Sequence, residues 1–525
     1  MRQTILSVVL EVEPQSVRHL AGLIEDFKRY QEKEEPGQES YSKLKDGVPS
    51  LHFLSMSIFR DAHYDPIFVI EANFDGLPGP FWAQMEATVA NNLRPMVRCC
   101  KRPAGRDGPA YDAVTTPGSH HPLTSYLDKR TQKPSVFHQG NRGLERDRIL
   151  QEHDLFLATR EVLHQSSPTA PNPFRGIPAG QIHDKLRAAL LGRFPWLGAP
   201  APARISGGER AMDVLYLLGF AYLALFCLSL PGIVVASFMP AWCFVAAVVV
   251  IAGAGMAYLW WTRAPLEGQG VPTRSVRPGI KLSSRAIVIL MLAAAGYFAI
   301  MCFLGFSVVI TVLGLISLVV ILPVVVVWLR LLETADSSQD APPVDERLLA
   351  EMARREDWIP QNHMGSVVLV KPGILRMALF RVGHCALGLF LRVVATDGYL
   401  GSMRTVHFAH WAFVNNSSRL MFFSNFDHSW ESYLDDFIEK AHHGLTLAWG
   451  SGVGFPPARF LLLDGASHGR KFKAWARHSM AVSRFWFSAY KNLTVDQIER
   501  NVRIADGLRK PSLTEQEAAL WVRDL

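Results

Sequence analysis

Residues 214–261 read VLYLLGFAYLALFCLSLPGIVVASFMPAWCFVAAVVVIAGAGMAYLWW and contain no charged side chain. Residues 286–328 form a second uncharged stretch. Because the apolar core of a bilayer is about 30 Å thick and a helix needs roughly 20 residues to cross it, each stretch is long enough for two spans. We therefore predict four transmembrane helices, at residues 214–236, 240–261, 286–304 and 308–329.

The orientation of these helices follows from the basic residues between them. The connection between the two stretches carries Arg263, Arg274, Arg277, Lys281 and Arg285, whereas the two inferred hairpin turns carry none. Basic residues favour the cytoplasmic side of a membrane, and an even number of spans leaves both flanking regions on that side. We expect an integral protein of a bacterial inner membrane, with the lipid bilayer as a partner and both soluble regions in the cytoplasm.

The charge and the cysteines exclude two classes of protein. The net charge of +7 is spread along 525 residues without a long Lys/Arg run, so nucleic acid is not an expected partner. The six cysteines include no CxxC pair, which argues against a cysteine zinc site and fits reduced cytosolic thiols. The oligomeric state stays open.

The two soluble regions repeat the same short motifs in the same order. SVVL at residues 7–10 recurs at 366–369, HF at 52–53 recurs at 407–408, and NFD at 73–75 recurs at 425–427. Residues 126–149 align with residues 475–498. The separation therefore falls from 359 through 355 and 352 to 349, as small deletions would produce. This order predicts an internal duplication.

Hydrophobic periodicity in each region predicts the order strand, helix, strand, strand, helix, which is the order of a ferredoxin-like half-sheet. We predict an α+β fold with two ferredoxin-like repeats on either side of a four-helix transmembrane block. The segments are repeat 1 (1–164), a linker with a juxtamembrane helix (165–211), the transmembrane block (212–332), an acidic linker (333–360) and repeat 2 (361–525).

The candidate site residues are histidines on predicted apolar strands or helices, and Asn or Asp side chains where a strand turns into a helix. A histidine on an apolar face fits either a satisfied core group or a ligand, and Asn or Asp at such a turn fits either a helix cap or catalysis. Imidazole can also bind haem iron or another metal. The ligand-binding candidates are His52, Asn73, Asp75, His384, His407, His410, Asn425, Asp427, His442 and His443.

Duplicated ferredoxin-like halves that can join their sheets resemble the dimeric α+β-barrel superfamily. That superfamily includes haem enzymes of the dye-decolorising peroxidase and chlorite dismutase kind, monooxygenases and binding modules. The GxxDG motif of dye-decolorising peroxidases is missing from this sequence. The HF and NFD repeats are similar to those of bacterial membrane proteins without an assigned activity.

The resemblance implies two functions, and whether the chain is an enzyme stays open. The first is a cytoplasmic pseudo-dimeric module that binds a small apolar or lipid-derived ligand. The second is a membrane-anchored, peroxidase-like oxidoreductase, for which haem is the candidate cofactor and a histidine of the second repeat its axial ligand. A transporter is the least expected function because the predicted spans lack ionisable residues.

One predicted helix, at residues 374–394, is apolar nearly all round, with Arg376, Arg381 and Arg392 as its only charges. Such a helix is normally buried or lies in a membrane interface. We expect it to pack against the other repeat or the bilayer, with His384 near any ligand cavity.

Overall fold

The structure is a computed structural model, which describes residues 3–31, 43–61, 64–164, 172–261, 284–336, 346–356, 360–394 and 404–525. The basic connection at residues 262–283 lies outside the described residues, as do residues 337–345 and 357–359 of the predicted acidic linker. The helices and strands, in chain order, are β1 (Gln3–Glu11), α1 (Val17–Gln31), α2 (Lys43–Gly47), β2 (Leu51–Phe59), β3 (Ile67–Asp75), α3 (Pro78–Arg98), α4 (Gly108–Thr115), α5 (Leu123–Asp128), β4 (Thr131–Gln132), β5 (Val136–Gln139), α6 (Arg146–Leu163), α7 (Ala179–Leu191), α8 (Gly207–Ala236), α9 (Ala241–Trp261), α10 (Ser284–Phe303), α11 (Val308–Thr334), α12 (Glu346–Glu356), β6 (Gln361–Leu369), α13 (Ile374–Val394), β7 (Val406–Val414), β8 (Arg419–Asp427), α14 (Trp430–Trp449), β9 (Ala458–Arg459), β10 (Leu463–Asp464), α15 (Gly469–Ser479), β11 (Met480–Ala481), β12 (Phe485–Ser488), α16 (Val495–Arg509) and α17 (Glu515–Trp521).

Two five-stranded antiparallel sheets exchange one strand each. The first sheet has the order β12-β2-β3-β1-β4, and the second has the order β5-β7-β8-β6-β11. Strand β12 belongs to the second soluble region but pairs with β2, and β5 belongs to the first region but pairs with β7. Each soluble region therefore completes the sheet of the other, so the two regions are joined and α+β in class.

The sheets also contact each other directly. Phe59, Ile67 and Val69 of the first sheet pack against Met421 and Phe423 of the second in one buried cluster. The opposite face of each sheet is covered by helices, α1 and α3 on the first and α13 and α14 on the second. Each sheet is therefore buried on both faces, by helices on one side and by the other sheet on the other.

The paired strands fix the correspondence between the two regions. Ser7 pairs with Glu71, and Gly365 pairs with Phe423, which lies 352 residues after Glu71. Ser7 therefore corresponds to Gly365 at a separation of 358, so the alignment of the two SVVL motifs at 359 is wrong by one residue. A shift of one residue moves a side chain to the other face of a strand, and Ser366 accordingly contacts Ser479 beside α15.

The apolar block forms the helices α8, α9, α10 and α11, and α8 packs closely on α11. A Cβ atom on Gly232 would lie 2.4 Å from the Ser317 Cβ, and one on Gly314 would lie 2.4 Å from an Ile233 carbon. Small residues at such positions let membrane helices approach one another.

Among the described residues, three helices are long and apolar enough to cross a membrane: Gly207–Ala236, Val308–Thr334 and Ile374–Val393. This indicates membrane association, but the predicted count of four spans is wrong on this criterion. Helices α9 and α10 are 21 and 20 residues long, and they contribute the shorter apolar stretches Ala241–Gly255 and Met291–Phe303. The third candidate is the arginine-containing helix α13.

Helix α7, the helix in the predicted juxtamembrane segment 165–211, packs its apolar face against the C-terminal helices. Leu186 and Leu190 are fully buried in a cluster with Leu508 and Trp521 from the C-terminal helices. The His183 Nε2 atom lies 2.9 Å from the Gly507 carbonyl oxygen. Helix α7 therefore covers α16 and α17.

Candidate functional site

His52 is the extra residue of a β-bulge in β2. The pairing of β2 with β3 shifts between Leu51 and Phe53, and a bulge redirects the side chain at that point. The fully buried ring of His52 has Nδ1 at 2.9 Å from the Tyr490 hydroxyl and Nε2 at 3.0 Å from Asp75 Oδ1. Because Tyr490 follows β12, this contact joins the two soluble regions.

His407 occupies the corresponding bulge in β7. The pairing of β7 with β8 shifts between Val406 and Phe408, and His407 Nε2 lies 2.8 Å from Asp427 Oδ1. The rings of His52 and Phe408 are 5.4 Å apart between centroids, and those of Phe53 and His407 are also 5.4 Å apart. The two HF motifs are thus arranged reciprocally around one buried aromatic cluster.

The two aspartates cap helices, although not the helices that directly follow them. Asp75 Oδ2 accepts a hydrogen bond from the Arg146 backbone N–H at 2.7 Å, and Asp427 Oδ2 accepts one from the Val495 N–H at 2.8 Å. These amides begin α6 and α16, where a carboxylate is favoured by the helix dipole. Each His–Asp pair therefore fixes the last long helix of its region, which supports the structural interpretation of these residues.

Glu71 is the centre of a second buried polar cluster, between the two sheets. Its side chain is 1% exposed. Oε1 accepts hydrogen bonds from Asn73 Nδ2 at 2.7 Å and from Asn425 Nδ2 at 3.4 Å, and Oε2 accepts one from Ser55 Oγ at 3.0 Å. His363 Nε2 lies 3.2 Å from the same Oε2. The two Asn candidates therefore belong to one cluster, and Glu71 and His363 join it.

The pKa of Glu71 is set by two opposing effects. Burial raises it, but the hydrogen bond and the electrostatic interaction with His363, with smaller contributions from His410 and Asn73, leave the pKa below its usual range. Glu71 is therefore ionised at neutral pH. A buried ionised carboxylate needs several partners because it has lost its hydration.

Two serine–histidine pairs flank this carboxylate. Ser483 Oγ lies 2.6 Å from His363 Nδ1, and Ser7 Oγ lies 2.9 Å from His410 Nε2. The second pair is separated from Glu71, because His410 Nδ1 is 4.0 Å from Oε1, beyond hydrogen-bonding distance. Burial lowers the pKa of His410 to about 4, so its ring is neutral at pH 7.

The remaining candidates lie elsewhere. His384 lies on the buried side of α13, with Nδ1 at 2.9 Å from Ser135 Oγ and Nε2 at 3.0 Å from the Ala448 carbonyl oxygen. His442 and His443 lie on α14 beside a kink at Ala441, and their Nδ1 atoms contact backbone carbonyl oxygens. The structure does not bring these three histidines to the Glu71 cluster.

The described residues contain no group of three or more His, Cys, Asp or Glu side chains that could hold a metal, and the candidates His384, His407 and His410 do not fit a haem. An axial ligand needs an available ring nitrogen and open space beside it, whereas both nitrogens of His384 are engaged. The rings of His407 and His410 are at most 1% exposed and pack against Phe53 and Phe423.

A cavity of about 570 Å³ lies beside the part of β1 that β4 leaves unpaired. Strand β4 reaches only Ser7 and Val8, so residues 3–6 of β1 line the cavity, together with the start of α3 and parts of residues 128–139. A neighbouring cavity of about 420 Å³ reaches α8 at Met212, Asp213 and Tyr216. Because Gln3, Phe137, Gln139 and Arg392 line both cavities, we call them together the junction cleft.

Ion pairs hold α8 against this cleft. The Arg142 guanidinium contacts Glu209 at 2.7 Å and Asp213 at 2.6 Å, and it also donates to the Arg392 carbonyl oxygen at 2.9 Å. The Arg392 guanidinium lies 4.6 Å from the centroid of the Phe137 ring. A membrane-type helix, the exchanged strand and the end of α13 therefore meet at one place.

The larger cavity is mostly apolar with a small excess of positive charge. Lys133 and Arg392 face one carboxylate, Asp128, which already accepts a hydrogen bond from Trp82 Nε1 at 3.0 Å. Leu77 is 65% exposed at the edge of the cavity. The apolar lining residues are Ile5, Leu6, Leu77, Pro78, Pro134 and Phe137.

The sequence also contains GASHG at residues 465–469, which has the GxSxG spacing of a serine nucleophile elbow. Ser467 lies in a 3-10 turn between β10 and α15. Its Oγ is buried and has no hydrogen-bond partner within the described part of the chain. The motif thus has a strand–turn–helix context but no histidine paired with the serine there.

No family model, no characterised protein and no solved structure matches this chain.

Proposed function

We propose that the chain is an integral membrane protein whose two soluble regions are ferredoxin-like repeats of one ancestral unit. In this proposal they form a pseudo-dimeric cytoplasmic module of a bacterial inner-membrane protein, and the module binds a lipid-derived amphiphile in the junction cleft. The matching strand orders of the two sheets and the reciprocal exchange of β5 and β12 support the duplication.

The observation that carries the binding proposal is the continuity of the cleft with α8. Its volume of about 570 Å³ in the larger part lies within the range of small-molecule sites. The cavity has apolar walls and two cationic side chains, Lys133 and Arg392, for one carboxylate, Asp128. This lining suits an acyl chain that ends in a single negative charge. Because Tyr216 of α8 lines the smaller cavity of the junction cleft, such a ligand can enter the cleft from the membrane side.

A photoreactive fatty acid tests this proposal. Purified chain in detergent is irradiated with a diazirine-bearing palmitate, and the labelled peptides are located by mass spectrometry. We expect label within residues 3–6, 77–78 or 131–139. Label confined to α9 or α10, with none at these residues, would place the ligand on the lipid-facing surface and refute the cleft.

Two variants sharpen the test. Leu77→Glu removes apolar contact worth about 1–2 kcal/mol, which corresponds to roughly tenfold weaker labelling. Leu157→Glu is the matched control, because Leu157 is 52% exposed on α6 outside the cleft. Lys133→Gln removes a positive charge, so it should weaken labelling by the diazirine-bearing palmitate. Labelling by the corresponding diazirine-bearing alcohol, which is uncharged, should not change. Equal losses in both leucine variants would contradict the proposal.

A further inference from the structure

Ser483, His363 and Glu71 are in contact as a linear chain of hydroxyl, imidazole and carboxylate. The hydroxyl oxygen is 2.6 Å from Nδ1, and Nε2 is 3.2 Å from the carboxylate. Both distances are those of the nucleophile–base and base–orienter contacts of serine hydrolases. We propose that these residues form a serine nucleophile site that acts on carboxylic esters, independently of the junction cleft.

The hydrogen bonds of the chain set the histidine tautomer that such a site needs. Ionised Glu71 can only accept hydrogen bonds, so the His363 Nε2 carries the proton and donates it. In the neutral ring, Nδ1 then has a free electron pair and accepts the proton of the Ser483 hydroxyl. In the usual triad Nε2 faces the serine and Nδ1 faces the carboxylate. Here the two nitrogens exchange these roles, and because both belong to one conjugated ring, protonation of either gives the same imidazolium.

The carboxylate is held in place more firmly than ion pairing alone requires. Ser55, Asn73 and Asn425 all donate to Glu71, so its oxygen atoms point in fixed directions. The His363 ring also stacks on Phe423, with ring centroids 5.8 Å apart and planes at 28°. Glu71 is thus a positioning residue, and His363 is the general base.

The corresponding residues of the other region cannot form this chain. Strand register places Phe423 at the position of Glu71 and Ile5 at that of His363, and Pro134 corresponds to Ser483 in the aligned segment. All three polar groups are therefore specific to one side of the paired sheets. Because a polar group buried without need costs stability, this one-sided set is better explained by chemistry than by the shared fold.

Ser483 is half-buried, on the connection between β11 and β12, and its neighbour Arg484 is exposed. A nearby surface cavity of about 260 Å³ is lined by Met480 and Ala481 of the same segment and by Phe59. By contrast, Ser7 is fully buried. Access therefore distinguishes Ser483 from the other serine that contacts a histidine in the Glu71 cluster.

The proposed reaction is ester hydrolysis in two steps. Ser483 Oγ attacks the carbonyl carbon while its proton passes to His363 Nδ1, and the bond to the alcohol oxygen breaks as the alcohol takes that proton. Water then attacks the acyl-serine, again losing a proton to Nδ1, and the carboxylic acid leaves as the serine hydroxyl is restored. No cofactor or oxidant is required.

A fluorophosphonate probe tests the nucleophile without knowledge of the substrate. Ser483 Oγ would bond to phosphorus, fluoride would leave, and the adduct would be found by mass spectrometry on the Ser483 peptide of the purified full chain. We expect labelling that Ser483→Ala abolishes and Ser7→Ala leaves unchanged. Labelling of the chain that persists in Ser483→Ala, or none at Ser483 in the folded protein, overturns the proposal.

Two further variants separate chemistry from folding. His363→Asn and Glu71→Gln should each slow labelling about 100-fold, the usual loss for a general base. The pH profile of the labelling rate should also differ between His363→Asn and the parent. The thermal midpoint of each variant is measured in parallel, and a variant that matches the parent in both stability and labelling rate contradicts the assigned role.

Discussion

Replacing the buried His138 should change how the stability of the protein depends on pH. His138 lies on the exchanged strand β5 opposite Ala409, and its side chain is 4% exposed. Its Nε2 has no hydrogen-bond partner among the residues that the structure describes. Burial lowers the pKa of His138 from 6.5 to about 4, so the folded protein keeps this ring neutral under mildly acidic conditions.

The sign and the size of the effect follow from proton linkage. As the pH falls below 6.5, the unfolded chain binds a proton at this histidine that the folded chain does not bind, so stability is lost. Each pH unit costs about 1.4 kcal/mol until the folded pKa is reached. Between pH 7.5 and pH 5 the loss from His138 should therefore be about 2 kcal/mol, and it should level off below pH 4.

The chain itself suggests the substitution. Phe487 occupies the corresponding position of the other exchanged strand, where it pairs with Leu54, so His138→Phe removes the titrating group with a residue that the architecture accepts. Urea unfolding in detergent micelles, followed by tryptophan fluorescence, should show a smaller acid-induced loss in His138→Phe by about 2 kcal/mol.

His164→Phe is the control for this experiment, because His164 is exposed at the end of α6. That variant should retain the full acid-induced loss of stability. If His138→Phe and the parent lose the same free energy of unfolding between pH 7.5 and pH 5, the burial argument for His138 is refuted.

Two further predictions concern strand exchange and topology. Gly140→Ala should lower the thermal midpoint of the protein, because the new Cβ would lie 2.0 Å from the Val406 carbonyl oxygen. The control is Gly22→Ala in α1, whose Cβ meets nothing within 4 Å and which should raise the free energy of unfolding by about 0.5–1 kcal/mol. Equal thermal midpoints for the two variants would contradict the contact made by the exchanged strand. Cysteine-accessibility reporters at Arg60, at position 270 and at Arg470 should all report cytoplasm, and one external signal would reject the proposed orientation.

Local periodicity was sufficient to predict the elements of each region. The sequence predicts strand, helix, strand, strand, helix, and the structure has β1, α1, β2, β3 and α3 in the first region, with the short α2 added. Helical and strand periods depend only on neighbouring residues, so the pattern of apolar side chains reveals them. The helices α8 to α11 also begin and end close to the predicted limits, apart from the longer start of α8 and end of α11.

The strand exchange could not be predicted in this way. The exchanged strands β5 and β12 are short, and their pattern of apolar residues would be compatible with either sheet. The choice between the two sheets depends on tertiary contacts, such as those of Tyr490 with His52. The predicted register of β6 is wrong by one residue for a different reason. The identical letters SVVL in β1 and β6 favour a separation of 359, whereas Pro14 and Pro372, which follow these strands, are separated by the observed 358.

The chain of Ser483, His363 and Glu71 has no counterpart among the residues that the two regions repeat. Residues shared by the two regions, such as His52 and His407, hold the common architecture in place by contacting Asp75 and Asp427. Glu71 has no acidic counterpart, so a comparison of the regions omits it. Where two regions share one strand order, the residues that differ between them are therefore the better guide to a site present only once.

Helix α13 shows why composition and position have to be considered together. It is apolar enough to count as a membrane span, yet Arg376 near its start contacts Asp336 at the end of α11 at 2.9 Å. At its other end, the Arg392 carbonyl oxygen accepts a hydrogen bond from Arg142, which also contacts Asp213 near the start of α8.

The start of α8 and the end of α11 both contact the soluble regions, through Arg142 and through the Glu333 carboxylate, which accepts hydrogen bonds from two amides of the β9–β10 turn. A helix crossing the bilayer would carry its two ends to opposite sides. The 21 residues of α13, about 30 Å long, instead extend from one of these helix ends to the other. Its Ile374 and Val382 are exposed, whereas its buried Phe380 packs towards the second sheet, so that α13 connects the apolar helices to the sheet that holds His363.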